Sequence, residues 1–241
     1  MKRSDTPPAM DADALRKAIE WAILSRRSVR AFLPTPVPRA TVESILDIAR
    51  FAATGVNIQP WRVHVVTGHA KDRICAAIQR VSDDSASGET CTDEWDYYPR
   101  EWISPYLERK RAVGWKLYGL LGIEKGNKER MQAQHNRNYQ FFDAPVGLFF
   151  TIDRVMQQGS LLDYGMFLQN IMIAARAHGL STCPQAAFMK FHQVIAEQLR
   201  LETSEMFVVG MSLGFADGSR IENTLVTDRA EVGSFTTFYS A

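Results

Sequence analysis

The chain has 241 residues, of which 46% are hydrophobic and 23% are charged, and its formal net charge is +1. This length suffices for one large domain with a sizeable core, and the composition is that of an ordinary globular protein. The near-neutral charge excludes a dedicated nucleic-acid or membrane-surface protein, because polyanion binding needs a clustered excess of Lys and Arg. We therefore expect a small-molecule partner, with no nucleic acid and no membrane.

The cysteines and the N-terminus favour a cytoplasmic protein. The chain has three cysteines, an odd number without a CxxC pair, which is typical of a reducing compartment. The polar, Pro-rich N-terminus lacks the apolar segment of a secretory signal, and the apolar run 144–152 is too short to cross a bilayer. The five histidines show no HExxH spacing and no cysteine companions, so no metal site is predicted.

In chain order, the pattern predicts a flexible tail over 1–11 and then a single domain over 12–241. Apolar spacing predicts a helix over 12–25 and a second helix that begins near Pro38 and ends at Gly55. The later predictions are a strand over 62–68, a helix through Ile74 and Ile78, a loop over 82–95, a strand over 145–152, a helix over 163–177, a helix over 190–200 and a strand over 206–215. Strands separated by helices predict a layered protein of both element types. The aromatic and basic region 95–140 is interpreted as an insertion over one face.

A basic cluster, Arg26-Arg27-Ser28-Val29-Arg30, follows the first predicted helix. Two or three guanidinium groups that converge on a phosphate form charge-assisted hydrogen bonds, and the Ser28 hydroxyl would add another. The alternative is a solvated basic helix end, which the helix dipole favours.

Two further segments suit a planar polar ring. In 54–61, Asn57 and Gln59 present donors and acceptors that match the edge of a pyrimidine-like ring, although the segment also fits a plain turn after a helix. In 179–188, small residues after Pro184 would let backbone N–H groups approach a ring nitrogen, although a helix cap at Gly179 with an ordinary connection also fits. With the basic cluster, these segments indicate a phosphorylated, ring-bearing cofactor held without a glycine-rich dinucleotide loop.

Gly210-Met211-Ser212-Leu213-Gly214 matches the G-x-S-x-G pattern of a hydrolase nucleophile. In such hydrolases the catalytic Asp and His follow the serine along the chain. Here no histidine follows His192. The sequence therefore excludes such a hydrolase, and the small residues predict tight strand packing instead.

The motifs occur in the order seen in one enzyme family. Arg26 to Arg30, Asn57-x-Gln59-Pro60-Trp61, Gly179-Leu180 with Cys183-Pro184-Gln185, and Leu213 to Asp217 followed by Arg229 resemble the FMN-dependent nitroreductase family, and within it the nitrobenzoate-reductase-like members. The resemblance covers nearly the whole chain from about residue 20. It implies an α+β fold with a central, mostly antiparallel sheet flanked by helices, and an intertwined homodimer with one FMN per subunit at the interface.

The resemblance also assigns cofactor-binding residues. Arg26, Arg27, Ser28 and Arg30 would hold the phosphate and ribityl end, with Arg229 completing the phosphate cage. Thr54, Asn57 and Gln59 would line the ring or come from the partner chain. Pro184, Gln185, Ala186 and Ala187 would lie against the ring, with a backbone N–H of Ala186 or Ala187 towards flavin N5.

Region 95–140 falls where the family builds its variable substrate lid. Within it, Trp102, Trp115 and Tyr118 are candidates for substrate contact, and they suggest a flat aromatic substrate. Arg137 is a candidate for positive charge near the flavin pyrimidine.

The implied activity is that of an FMN-dependent NAD(P)H oxidoreductase that reduces nitroaromatics, and quinones as a second class, by a ping-pong two-electron mechanism. NADH or NADPH would be the co-substrate and a small aromatic molecule the electron acceptor. No side chain would be catalytic, because the flavin N5 carries the chemistry. Two alternatives stay open: different flavin chemistry on the same scaffold, namely reductive dehalogenation or flavin fragmentation, and a non-catalytic flavin-binding protein.

Overall fold

The computed structural model describes residues 11–84 and 91–240. The predicted tail thus falls outside the described residues except for Asp11, which caps the first helix by accepting a 3.2 Å hydrogen bond from the Ala14 N–H. The helices are α1 (Ala12–Ser25), α2 (Arg39–Ala49), α3 (Gly68–Asp84), α4 (Tyr106–Leu120), α5 (Lys128–Asn136), α6 (Gln158–Ala177) and α7 (His192–Leu199). The strands are β1 (Arg62–Thr67), β2 (Val146–Asp153), β3 (Ser181–Gln185) and β4 (Glu205–Gly214). Short 3-10 turns cover Gly55–Asn57, Arg137–Asp143, Ala186–Phe191, Ile221–Thr224 and Val232–Ser234.

The four strands form one sheet in the order β1-β2-β4-β3, with every neighbouring pair antiparallel. Successive side chains of a strand point to opposite faces, so each face of β2 takes part in a different core. Leu148 and Phe150 pack against α2 and α6, whereas Phe149 packs against α3 and α7 on the other side. Helices therefore cover both faces of an antiparallel sheet, and the predicted α+β fold is confirmed.

Several boundaries differ from those predicted. Helix α1 ends at Ser25 as expected, but α2 ends at Ala49 instead of Gly55. The apolar stripe continues past the helix because Ala52, in the following turn, still packs against the core. Helix α6 begins at Gln158, five residues earlier than the apolar pattern suggests. Of the predicted loop 82–95, the first residues continue α3 as far as Asp84, and residues 85–90 lie outside the described residues.

The G-x-S-x-G segment lies within β4, and its small residues are needed for packing. A Cβ atom on Gly210 would lie 2.4 Å from a ring carbon of Phe188, which is too close for any real contact. The Ser212 hydroxyl is fully buried, 2.8 Å from the Phe141 carbonyl oxygen and 2.6 Å from Oε1 of Gln185. The predicted tight strand packing is confirmed, and Ser212 is inaccessible as a nucleophile.

The region 95–140 is anchored in the core at both ends and projects from it in between. Trp95 packs against both cores, and Tyr139 is buried in the second one. Helices α4 and α5 between them contain no buried residue. In residues 96–136, Ile123 between these helices is the one buried side chain, so this part of the region is largely exposed. In the described part of the chain, no helix is long and apolar enough to cross a membrane.

Candidate cofactor site

A cavity of about 760 Å³ lies beside the end of α1 and is lined by four arginines. Its lining residues are Ile23, Leu24, Ser25, Arg26, Arg27, Gln169, Arg176, Ser181, Ala216, Leu225, Val226, Thr227 and Arg229. None of these is acidic. Throughout 11–84 and 91–240, no carboxylate forms an ion pair with Arg26, Arg27 or Arg229. Guanidinium groups without a protein counter-ion suit an anionic ligand such as a phosphate.

The arginines of this cavity lie close enough to affect one another. Burial lowers the pKa of Arg26, and the like charge of Arg229 lowers it further. Holding two cations together costs free energy in the absence of an anion. The predicted phosphate residues Arg26, Arg27 and Arg229 are therefore brought together from opposite ends of the chain.

Ser28 and Arg30 belong to the same cluster through their contacts with Cys183. Burial raises the pKa of the Cys183 thiol to about 11, and the charge of Arg30, a hydrogen bond from Ser28 and the charge of Arg26 oppose this rise. Three of the five predicted phosphate residues, Arg26, Ser28 and Arg30, thus lie near this thiol. That thiol is buried and mostly protonated at neutral pH, so Cys183 is a packing residue and not a nucleophile.

Strand β3 connects this cluster with the segment predicted to face a ring. Ser28 pairs with Thr182 in a parallel bridge, and the Val29 N–H donates a 3.1 Å hydrogen bond to the Thr182 carbonyl. Ala186 follows directly after β3, at a distance of roughly 13 Å along the strand from Thr182. Strand β3 therefore joins the phosphate cluster to the segment predicted to face a ring.

Within the ring-facing segment, backbone and side chains have different roles. Gln185 is buried, and its Nε2 donates a 2.8 Å hydrogen bond to the Asn138 carbonyl while its Oε1 bonds Ser212. Its side chain is therefore held in the core and only its backbone can face a ligand. Pro184, Ala186 and Ala187 are half-buried, and the two alanines begin a 3-10 turn, where N–H groups have no partner within the helix.

The loop that carries Thr54, Asn57 and Gln59 does not line the arginine cavity. Val56, Asn57 and Gln59 have positive φ angles of 41°, 62° and 52°, which non-glycine residues rarely adopt. A 3.0 Å hydrogen bond from the Gly55 N–H to Oδ2 of Asp163 fixes the start of the loop. Asn57 and Gln59 are exposed. The chain thus holds a strained loop in place while its amide side chains face outward.

The three lid aromatics form two separate groups. Trp102 lies 5.6 Å from Tyr98, and Nζ of Lys110 lies 4.2 Å above its ring. Trp115 and Tyr118 contact each other on α4, with ring centroids 6.2 Å apart. The lid reaches the cofactor region through Lys116, which lies 3.3 Å from the carboxylate of Asp228, next to Arg229.

Comparison with known proteins agrees with this arrangement. The Nitroreductase family model matches residues 23–215. The chain belongs to the nitroreductase family. A 4-nitrobenzoate reductase of Pseudomonas putida is 42% identical over 216 residues, covering 90% of this chain and 93% of that protein. A nitrobenzene nitroreductase of Ectopseudomonas oleovorans is 40% identical over 220 residues, covering 91% and 96%.

The fold of a solved nitroreductase is also similar. The FMN-dependent nitroreductase NfnB from Mycobacterium smegmatis, solved in complex with NADPH, superposes with a TM-score of 0.88 at 29% identity. The match covers 94% of this chain and all of that one. The predicted family and the predicted nitroreductase fold are confirmed.

The arginine expected near a flavin ring is paired with two carboxylates of its own chain. Arg137 was expected to supply positive charge to a ring, but its guanidinium group donates to Glu222 at 2.6 Å and to Asp143 at 2.9 Å. Two carboxylates therefore compensate the charge of Arg137. This pairing could not be predicted from the sequence, because Glu222 is distant from Arg137 along the chain.

Two residues that the motifs did not single out belong to this nitroreductase site. Arg176, in the last turn of α6, lines the cavity and donates hydrogen bonds to Ser25 and to the Leu180 carbonyl. Asn223 bonds the backbone of Arg30. A basic residue at a helix end was the only available signal for Arg176, and Asn223 carried none. Within the described ranges, no His, Cys, Asp and Glu cluster could hold a metal ion.

Proposed function

We propose that this nitroreductase-family protein is an FMN-dependent NAD(P)H oxidoreductase that reduces nitroaromatic compounds, with quinones as a second acceptor class. The observation that carries the proposal is the arginine cavity without a carboxylate, joined by β3 to the half-buried residues at Pro184 to Ala187. Two relatives are named as reductases of nitrobenzoate and nitrobenzene. A solved neighbour of the same fold is FMN-dependent and was crystallised with NADPH.

The residues present fit FMN in charge, and β3 connects those suited to its phosphate with those suited to its ring. Arg26, Arg27 and Arg229 would neutralise the phosphate, and Ser28 and Arg30 would bind the phosphate and ribityl end. The backbone of Pro184 to Ala187 would lie against the ring. When bound, FMN would take two electrons from NADH or NADPH and pass them to a small aromatic acceptor.

We propose further that the active form is a homodimer, as the family resemblance implies. Thr54, Asn57 and Gln59 do not line the phosphate cavity, and the exposed side chains of Asn57 and Gln59 are accessible to a ring bound by a second copy. Apolar side chains are exposed on α1 and α6, including Leu24 at 82% and Leu162 at 72%. Exposed apolar surface of this extent is typical of an interface.

The C-terminal segment supports an intertwined arrangement. Phe235, Phe238 and Tyr239 are 69%, 84% and 94% exposed, which is unfavourable for aromatic residues in an isolated chain. Within the described residues, the outer edge of β1 has no strand partner, and an apolar groove with Val37, Leu46 and Val65 runs beside it. We propose that this segment of one copy lies on the other.

We place the protein in the cytoplasm, where thiols such as Cys75 and Cys183 stay reduced.

The test is a visible spectrum of the purified protein before and after anaerobic addition of NADH or NADPH. We expect flavin absorption that bleaches with a nicotinamide and returns with a nitroarene. Bound flavin that neither nicotinamide reduces would favour a flavin-binding protein without this activity. Flavin that is reduced but not reoxidised by a nitroarene would favour dehalogenation or flavin fragmentation. Absence of flavin binding would overturn the proposal.

A further inference from the structure

Asn223 lies on the Ile221–Thr224 turn and is only 5% exposed, and its amide group holds three backbone groups at once. Its Oδ1 accepts a 2.8 Å hydrogen bond from the Arg30 N–H. Its Nδ2 donates to the Ala31 carbonyl at 2.8 Å and to the Asp217 carbonyl at 2.9 Å. An asparagine amide offers two donors and an acceptor, so all of its donors are satisfied here.

These bonds fix the part of the chain that carries the phosphate-binding residues. The segment 26–33 lies outside regular helices and strands, so its shape depends on individual hydrogen bonds. Val29 and Ala31 are buried, while Arg30 between them is only half-buried. Because Asn223 bonds the N–H of Arg30 and the carbonyl of the next residue, it fixes the backbone on both sides of the Arg30 Cα. These hydrogen bonds therefore determine the direction in which the Arg30 side chain leaves the backbone.

We propose that Asn223 is the positioning residue for the flavin phosphate. By holding the Arg30 backbone, it keeps the Arg30 guanidinium group beside Ser28, whose carbonyl accepts a 3.3 Å hydrogen bond from Nη1 of Arg30. This inference rests on the proposed FMN function. Asn223 has no need to touch FMN itself, and its effect on affinity passes through Arg30.

The neighbouring acidic residue does not disturb this cluster. Glu222 accepts hydrogen bonds from Arg137 and Arg220, at 2.6 and 3.0 Å. Its charge is therefore compensated by arginines outside the phosphate cluster. On the other side of Asn223, the Thr224 hydroxyl donates a 2.8 Å hydrogen bond to the Ile221 carbonyl of the same turn. Among the described contacts, this hydroxyl has no other partner. Thr224 thus offers a matched control in the same turn.

A double-mutant cycle tests the proposal. FMN dissociation constants would be measured by flavin fluorescence on apo-protein for wild type, Arg30→Ala, Asn223→Ala and the double variant. We expect Asn223→Ala to weaken FMN binding roughly tenfold in the wild-type background, because the Arg30 N–H loses its buried acceptor. In the Arg30→Ala background, Asn223→Ala should have almost no further effect on FMN affinity. The control Thr224→Val should leave FMN affinity unchanged. Equal losses in both backgrounds would overturn the proposal, since they would mean a general effect on folding.

Riboflavin provides a second readout, because it has the same ring without the phosphate. Asn223→Ala should lower the affinity for FMN more than that for riboflavin, whereas equal losses would overturn the proposal. If Asn223→Ala does not fold, Asn223→Ser, whose shorter neutral side chain does not reach the Arg30 N–H, takes its place in the same cycle with the same expected result. Wild-type protein that fails to bind FMN would overturn the proposed function as well. Wild-type binding with additive losses would overturn only the role of Asn223.

Discussion

The guanidinium group of Arg137 donates a 2.6 Å hydrogen bond to Glu222, whose side chain is 1% exposed. Arg137 directly follows helix α5 of the lid, and Glu222 directly precedes Asn223. This ion pair thus ties the base of the lid to the turn that holds the phosphate-binding segment. Burying a carboxylate here is tolerated because Arg220 donates a second hydrogen bond to it.

The first prediction concerns stability at acid pH. Burial alone would raise the pKa of Glu222, but hydrogen bonds from the backbone, Arg220 and Arg137 outweigh it and lower the pKa. The unfolded chain therefore takes up the proton more readily, so this stabilisation is present above the unfolded pKa and is lost as pH falls through the folded pKa. Glu222→Gln should destabilise by about 1–3 kcal/mol at pH 7, and the difference from wild type should shrink below about pH 5.

Thermal unfolding of both proteins between pH 7 and pH 3 measures this difference. The control is Glu43→Gln, because Glu43 forms an exposed ion pair with Arg39 and should contribute little at any pH. A gap between wild type and Glu222→Gln that stays constant with pH would contradict the prediction.

The second prediction concerns the arginine cavity. Arg26→Ala or Arg229→Ala should weaken FMN binding by on the order of 2–4 kcal/mol, because each removes a charge-assisted phosphate contact. Binding of riboflavin should change much less. Titration of apo-protein with both ligands measures the difference, and Arg39→Ala controls for the loss of one positive charge elsewhere. Unchanged FMN retention in both variants would rule out the phosphate assignment.

The third prediction concerns the lid. Trp102→Ala, Trp115→Ala and Tyr118→Ala should change the ratio of kcat/KM between nitroarenes by several-fold while flavin content stays constant, because none of the three is buried. Trp61 is also half-buried, but it stacks on Phe167 with ring centroids 4.4 Å apart and packs against the core, so Trp61→Ala should lower stability by about 1–3 kcal/mol. Activity with two substrates and the ratio of flavin to protein absorbance are the measurements. Parallel loss of flavin and stability in the lid variants would show that they are core residues.

The fourth prediction compares two glycines. Gly210→Ala places a Cβ atom 2.4 Å from Phe188 and should destabilise by about 1–3 kcal/mol through overpacking. Gly114, within α4, has no atom within 4 Å of an added Cβ, so Gly114→Ala should stabilise by about 0.5–1 kcal/mol. Chemical denaturation compares the two. A larger loss for Gly114→Ala would contradict the described packing of β4 and α4.

The fifth prediction concerns assembly. Leu162→Asp on α6 should shift the protein from dimer to monomer and reduce FMN content, because a charge at an apolar interface is costly to bury. Val155→Asp is the control, since Val155 is 70% exposed on the turn before α6 and outside the helix faces. Light scattering gives the mass and absorbance gives the flavin content. A monomeric wild-type protein that retains FMN would contradict the homodimer.

Much of the fold could be predicted because its cores follow the apolar pattern. The run Val146 to Ile152 is continuously buried, as the unbroken apolar sequence indicates for a central strand. Strand β3, in contrast, was not predicted. Its sequence, Ser181 to Gln185, is polar and contains a proline, and it is a strand only because β4 pairs with it. Pairing between distant segments leaves no local signal.

In the site, too, local clusters could be predicted from the sequence, whereas contacts between distant residues could not. Arg26 to Arg30 could be recognised as a candidate phosphate site because guanidinium groups that are close in sequence can bind one phosphate together. Asn223 could not, since its role depends on a turn nearly two hundred residues from Arg30 along the chain. The pairing of Arg137 with Glu222 could not be predicted for the same reason, because the two residues meet only in the folded protein.

Helix α4 has no buried residue, and it contacts the cofactor region only through exposed groups such as Lys116, which pairs with Asp228 beside Arg229 among the described contacts. Substitutions in α4 should therefore change the free energy of unfolding little, because they neither leave a cavity in a core nor overpack one. Mutations that change which acceptors are reduced would cost this protein little folding free energy. Within such a scaffold, new substrate preferences can arise in one short helix while the flavin-binding framework is inherited unchanged.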